Sequence, residues 1–82
     1  MAGKKYSDEE NEFLRIVAEN IPYYRDLADK SQKDVADDIH WDEDNFRKVE
    51  KGKKLSSGLT YKKIAKSLDV PVDKLFEERK IK

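Results

Sequence analysis

Two helix-start signals crowd one stretch, SQKDVADDIHWDEDNFRKVEKG, at residues 31–52. Ser31 stands ahead of Asp34, and Asp42 stands ahead of Glu43 and Asp44. Ser and Asp start helices because their side-chain oxygens accept hydrogen bonds from the first free amides. The spacing allows the first helix about two turns and leaves about three residues before the second. That is too little chain for the antiparallel hairpin of a bundle, and it fits a sharp corner between two short helices. Such a corner needs one residue in the left-handed region, commonly glycine. Here the position falls to His40, a residue type that enters that region more readily than most. A lone histidine with no partner set reads as an exposed turn residue, with no metal or catalytic role.

The flanks of the corner agree with it. Trp41 just before the cap and Phe46 at the fourth helical position have the spacing of a hydrophobic staple, which makes both core residues. Glu43 and Asp44 lie in the first turn, where carboxylates interact favourably with the helix dipole, and Arg47, Lys48 and Lys51 lie towards the opposite pole. Gly52 is placed for a left-handed C-cap. Val35, Ala36 and Ile39 form the inward face of the first short helix, and Phe46 and Val49 that of the second.

The rest of the chain is also helical in pattern, with no period-two β-branched runs. SDEENEFLRIVAENI opens with a capping box, Ser7 and Glu10, and carries a stripe of Phe13, Val17, Ile21 and Tyr24. Pro22 interrupts that stripe, so the helix either kinks or ends near Asn20 and restarts. LSSGL reads as a loop. LTYKKIAKSL reads as a fourth helix with Leu59, Ile64, Ala65 and Leu68 apolar, and VPVDKLFEERKIK restarts after Pro71 with Leu75 and Phe76 as anchors. The expected division is a helical N-terminal extension at residues 1–18, a domain at 19–77 and a frayed tail at 78–82.

Composition narrows the classes of function. With 82 residues and no cysteine, neither disulfides nor a Cys/His zinc site supports the fold, so the 37% of apolar residues must form the core. The start MAGKKYSDEENEF passes from basic to acidic with no apolar run, and no stretch approaches the length of a membrane span. A cytoplasmic protein without membrane contact is expected. No nucleophile–base set, cleft carboxylate pair or phosphate loop is present, so neither an enzyme nor a small-molecule substrate or cofactor is expected. The formal net charge is +0, but it is divided: residues 1–41 hold six basic residues against ten acids, and 42–82 hold twelve against eight. Residues 47–66 hold eight basic residues against Glu50 alone, a local zone of +7.

Residues 31–52 resemble the helix-turn-helix of the lambda-repressor-like (Cro and Xre) DNA-binding regulators. The family pattern is a Ser-Gln start, an alanine in the first helix, a glycine at the turn, an apolar residue before the second helix and an Ile-Glu-x-Gly exit. This chain has Ser31-Gln32, Ala36, Trp41, Phe46 and Val49-Glu50-Lys51-Gly52. Arg25 matches the family's arginine in the preceding helix, and LTYKKIAKSLDVPVDKLF resembles its two closing helices. The likeness covers residues 19–77. His40 departs from the turn glycine, and Glu43 and Asp44 put acids where the reading helix approaches base edges.

The resemblance implies an all-α, five-helix fold with an N-terminal extension, and a small transcriptional regulator, a repressor, that binds double-stranded DNA as a homodimer. Gln32 would bond a phosphate. Glu43, Asp44, Asn45, Arg47 and Lys48 would face bases or flanking phosphates, and Lys51, Lys53, Lys54 and Lys62 would hold the backbone. Carboxylates at Glu43 and Asp44 can accept from cytosine amino groups and are repelled by phosphates. Glu50 would pair with Arg25. The dimer surface falls either around Leu75, Phe76 and Ile81 or around Phe13 and Leu14. The alternative is a protein-interaction module that kept the fold and lost DNA binding, with Asp37, Asp38, Asp42, Glu43 and Asp44 as an acidic patch for a basic partner.

Overall fold

The computed structural model describes residues 6–79. Within them lie five helices and no strand: α1 at Asp8–Leu27, α2 at Gln32–Asp38, α3 at Glu43–Glu50, α4 at Gly58–Ser67 and α5 at Asp73–Phe76. The radius of gyration is 12.5 Å, close to the roughly 12 Å of a compact domain of this length.

Capping fixes where the helices begin. At α1 the Glu10 amide donates to the Ser7 hydroxyl at 3.1 Å, and the Ser7 amide donates to the Glu10 carboxylate at 2.9 Å. Ser31 and Asp34 repeat this reciprocal pair at α2, at 3.0 and 2.9 Å. The two bonds from Ser31 hold the Asp34 carboxyl below its ordinary pKa, the backbone amide contributing most. Asp42 does occupy the N-cap of α3, but its side chain makes no capping bond. The acids that serve this helix end are Glu43 and Asp44 in its first turn.

Helix α1 runs unbroken through Pro22. Of the two outcomes read from the sequence, an end near Asn20 does not occur, and the 18/19 division falls inside one helix. Proline removes a helical hydrogen bond, at a cost of about 3 kcal/mol. Burial of Val17 and Ile21 on its inner face, both 0% exposed, offsets that cost.

Four helices stop in the same way. Asp29, His40, Gly52 and Asp69 follow α1, α2, α3 and α4 with φ of 58°, 59°, 72° and 61°. Each donates its amide back three residues, and the next residue donates back five: Lys30 to Arg25, Trp41 to Ala36, Lys53 to Lys48 and Val70 to Ala65, at 2.8–3.1 Å. These are Schellman closures. His40 thus occupies the left-handed position that the length of the corner demands. Replacing it by glycine is expected to raise stability by about 0.5–1 kcal/mol, the left-handed strain removed less the entropy glycine adds to the unfolded chain. A urea midpoint that falls in His40→Gly would contradict this.

The core lies where α1, α2, α3 and α4 converge, with Leu75 of α5 closing one end. Val35, Ala36, Ile39, Phe46 and Val49 point inward as their periodicity requires, and Trp41 packs against the same cluster. Two inward assignments and two surface assignments need correction. Leu59 is 62% exposed, whereas Tyr61 is buried. The cause is that α4 starts at Gly58 behind the Ser57 cap, which turns its inner face to Tyr61, Ile64 and Ala65. Phe76 is 37% exposed, although its ring lies 5.3 Å from Phe13 and 5.8 Å from Tyr61. Leu14 and Leu75, one from each of the two possible dimer surfaces, are both buried; Ile81 lies outside the described residues.

A buried polar residue joins α1 to the stretch at 75–79. Asn20 donates to the carbonyls of Leu75 and Glu77 at 2.9 and 2.7 Å and accepts from Arg79 at 2.9 Å. Arg79 also covers the Tyr23 ring at 3.9 Å, and Glu78 pairs with Arg15 at 3.0 Å. The first two residues of the stretch read as a frayed tail are therefore held against α1. No described helix is long and apolar enough to cross a membrane.

Candidate nucleic-acid interface

The α2–α3 corner brings the first residue of α2, Gln32, beside the outer face of α3. Helix α3 carries Glu43, Asp44, Asn45, Arg47 and Lys48; Lys51 follows at its C-cap, and Lys53 and Lys54 lie in the connection to α4. Nine of the ten residues read from the sequence as DNA contacts are thus gathered on α3, the adjoining end of α2 and the following loop; the tenth, Lys62, lies on α4. The electrostatics divide them into two groups.

The first group is a hydrogen-bonded chain that begins inside the protein. Glu50 is 3% exposed and accepts from Arg25 Nε at 3.0 Å through one carboxylate oxygen. The pairing expected from the resemblance is present. The other oxygen accepts from the Gln32 side-chain amide at 2.8 Å. Gln32 in turn accepts from Arg47 Nε at 3.3 Å. The Arg47 guanidinium then meets Asp44 at 2.6 Å and Glu43 at 3.2 Å. Every nitrogen of Arg47 thus has an acceptor within the protein. Gln32 is a strut between the buried Glu50 and the half-exposed Arg47, and its amide nitrogen retains one further hydrogen for a ligand.

The second group is basic and open. Lys48, Lys51 and Lys53 are exposed, and no ion pair engages them among the described residues. Lys54 donates to the Asn45 side chain at 3.3 Å, with its ammonium 6.0 Å from the Trp41 ring centroid. Lysines near the end of α3 offset its negative pole, yet charges that only stabilised the helix would gain nothing by continuing into the loop.

Sequence reasoning gave the members of this surface and one internal pair, Arg25–Glu50. It missed the Gln32 bridge and the capture of Arg47 by its own helix. The signal was present, since Glu43 and Asp44 precede Arg47 by four and three positions, the spacings at which helical side chains meet. Among the described residues no group of three or more His, Asp or Glu side chains is placed to hold a metal ion. No family model matches the chain, and neither a curated protein nor a solved structure matches it.

Proposed function

We propose that the chain is a small transcriptional regulator of the lambda-repressor-like (Cro/Xre) helix-turn-helix class. It binds double-stranded DNA as a homodimer and acts as a repressor, without catalytic activity. The observation that carries this reading is the row of exposed, unpaired lysines, Lys48, Lys51 and Lys53, continuing from the end of a helix held at a tight corner. An α-helix with its side chains is about 10–12 Å across, which matches the major groove of B-DNA. With α3 in that groove, the lysines meet the flanking phosphates and fix the register, while the N-terminal residues of α3 face base edges. The two-fold pairing of copies follows from the limited affinity of one small domain. Among the described residues, Phe76 is an exposed apolar side chain available for it towards the C-terminal end.

The test separates phosphate from base contacts. Lys48→Ala is expected to weaken binding to all duplex sequences about equally and to flatten the salt dependence by about one unit of slope. An unchanged slope would remove Lys48 from the phosphate contacts. The acids paired with Arg47 favour one other reading, a module that presents Asp42, Glu43 and Asp44 to a basic protein partner. Duplex DNA competes with such a partner at physiological salt in the first reading and leaves it bound in the second.

A further inference from the structure

The placement of Arg47 bears on which bases such a regulator would read, and the inference rests on the DNA-binding reading above. Arg47 lies on the outer face of α3, one turn from the helix start, with 38% of its side chain exposed. Its three nitrogens are taken by three different acceptors: Nη1 by Asp44 at 2.6 Å, Nη2 by Glu43 at 3.2 Å and Nε by Gln32 at 3.3 Å. The two carboxylates therefore offset its charge towards a phosphate, although each Nη keeps one further hydrogen. The two carboxylates leave this group net negative, at the tip of the helix that would enter the groove. Lys48, Lys51 and Lys53 supply attraction from the other end of the helix and the loop beyond.

We propose that Glu43, Asp44 and Arg47 form a self-compensated reading head, closed on any sequence except one presenting G·C pairs. Arginine reads guanine by donating two parallel hydrogen bonds to O6 and N7. Each Nη keeps one further hydrogen, and in the proposed head aligning a parallel pair of donors on the base draws Arg47 away from at least one of its two carboxylates. A released carboxylate then needs a donor, because a bare carboxylate in the groove faces phosphate repulsion. The major groove offers the cytosine N4 and adenine N6 amino groups as donors, and the cytosine one belongs to the same base pair as the guanine that Arg47 reads. A G·C pair, or two neighbouring ones, presents acceptors for Arg47 and a donor for Glu43 or Asp44 together. A phosphate offers only acceptors, so it cannot open the head without stranding the acids. The head thus lowers affinity for random duplex and concentrates binding on sites rich in G·C at the positions α3 faces. Gln32, held by the buried Glu50, is a positioning residue that keeps Arg47 Nε oriented during the exchange.

Three full-length proteins test this: the wild type, Arg47→Ala and the double variant Glu43→Gln/Asp44→Asn. The altered side chains are exposed or half-exposed, and thermal melting checks that each variant is folded. Each protein selects sites from a randomised duplex pool, and its affinity for the unselected pool is measured against salt. The wild type is expected to enrich G·C at one or more positions, and Arg47→Ala to lose that enrichment. The double variant is expected to bind the unselected pool severalfold more tightly at low salt. Its salt slope should be steeper by about 0.9, because Arg47 is free to neutralise one phosphate. The inference fails if the selected site holds no G·C pair that depends on Arg47, or if the double variant binds the unselected pool no more tightly than the wild type. Selection by the wild type with either of those results sinks the reading head alone. Absence of binding by both the wild type and the double variant at low salt sinks the DNA-binding reading with it.

Discussion

Replacing Arg25 by alanine is expected to lower the stability of the domain by about 3 kcal/mol, because it leaves a buried carboxylate without its counter-charge. The Glu50 side chain is 4% exposed and that of Arg25 19%, so water reaches this pair poorly. Without Arg25, Glu50 keeps only the Gln32 amide as a donor. The guanidinium also donates to the Lys30 carbonyl at 3.0 Å, tying the end of α1 to the α1–α2 link. For a domain of this size the loss corresponds to a fall in melting temperature of roughly 12–24 °C. Lysine is a poor substitute, since one ammonium cannot span the two acceptors as a planar guanidinium does. The double change Arg25→Met/Glu50→Leu should recover much of the loss, because an apolar pair of similar volume carries no desolvation penalty. An unchanged melting temperature in Arg25→Ala would reject the pairing as a structural element.

Gly52→Ala is the other substitution with a large expected cost, again about 3 kcal/mol. Two causes add. The residue sits at φ 72°, where an L side chain costs about 1–2 kcal/mol. A β-carbon there would also stand 2.8 Å from the Leu14 carbonyl oxygen and 3.3 Å from the Ala18 β-carbon. Backbone at that distance has no rotamer with which to move away, so α3 must shift off α1, an overpacking cost of about 1–3 kcal/mol. The second cause explains why glycine stands at 52 and aspartate or histidine at the equivalent positions after the other three helices. The expected result is a lower urea midpoint with an unchanged m value. Equal midpoints for Gly52→Ala and the wild type would show that α1 and α3 do not approach as closely as described.

The parts of the fold legible in the sequence are those fixed by short-range rules. The caps at Ser7 and Ser31, the left-handed His40 and the left-handed Gly52 after α3 depend on neighbours a few positions away, and each lies where those rules put it. The Arg25–Glu50 pair was legible only through the resemblance. What escaped was set by packing at a distance. Pro22 reads locally as a break, yet the burial of α1 on both sides of it keeps the helix whole. Asn20 has acceptors at Leu75 and Glu77, far along the chain, and no local pattern marks it. The inner face of α4 turned on which serine-rich position caps the helix, and a small rotation exchanged Leu59 for Tyr61. The candidate interface divides along the same line. Its members apart from Gln32 are local to one helix and the loop after it, so the sequence names them. Whether an arginine faces a ligand or the acids one turn behind it depends on side-chain geometry, and here Arg47 turns back.

The most direct test of the account is fluorescence anisotropy of a labelled, randomised duplex DNA pool, titrated with the protein at several salt concentrations. With Lys48, Lys51, Lys53 and Lys54 as the phosphate contacts of one copy, the slope of log affinity against log salt is expected to be about −3.6 per copy bound. A slope of that size supports α3 in the groove with the lysine row on the backbone. No binding even at low salt would contradict the DNA-binding role, and the acidic tip of α3 would then be the surface to probe with basic protein partners.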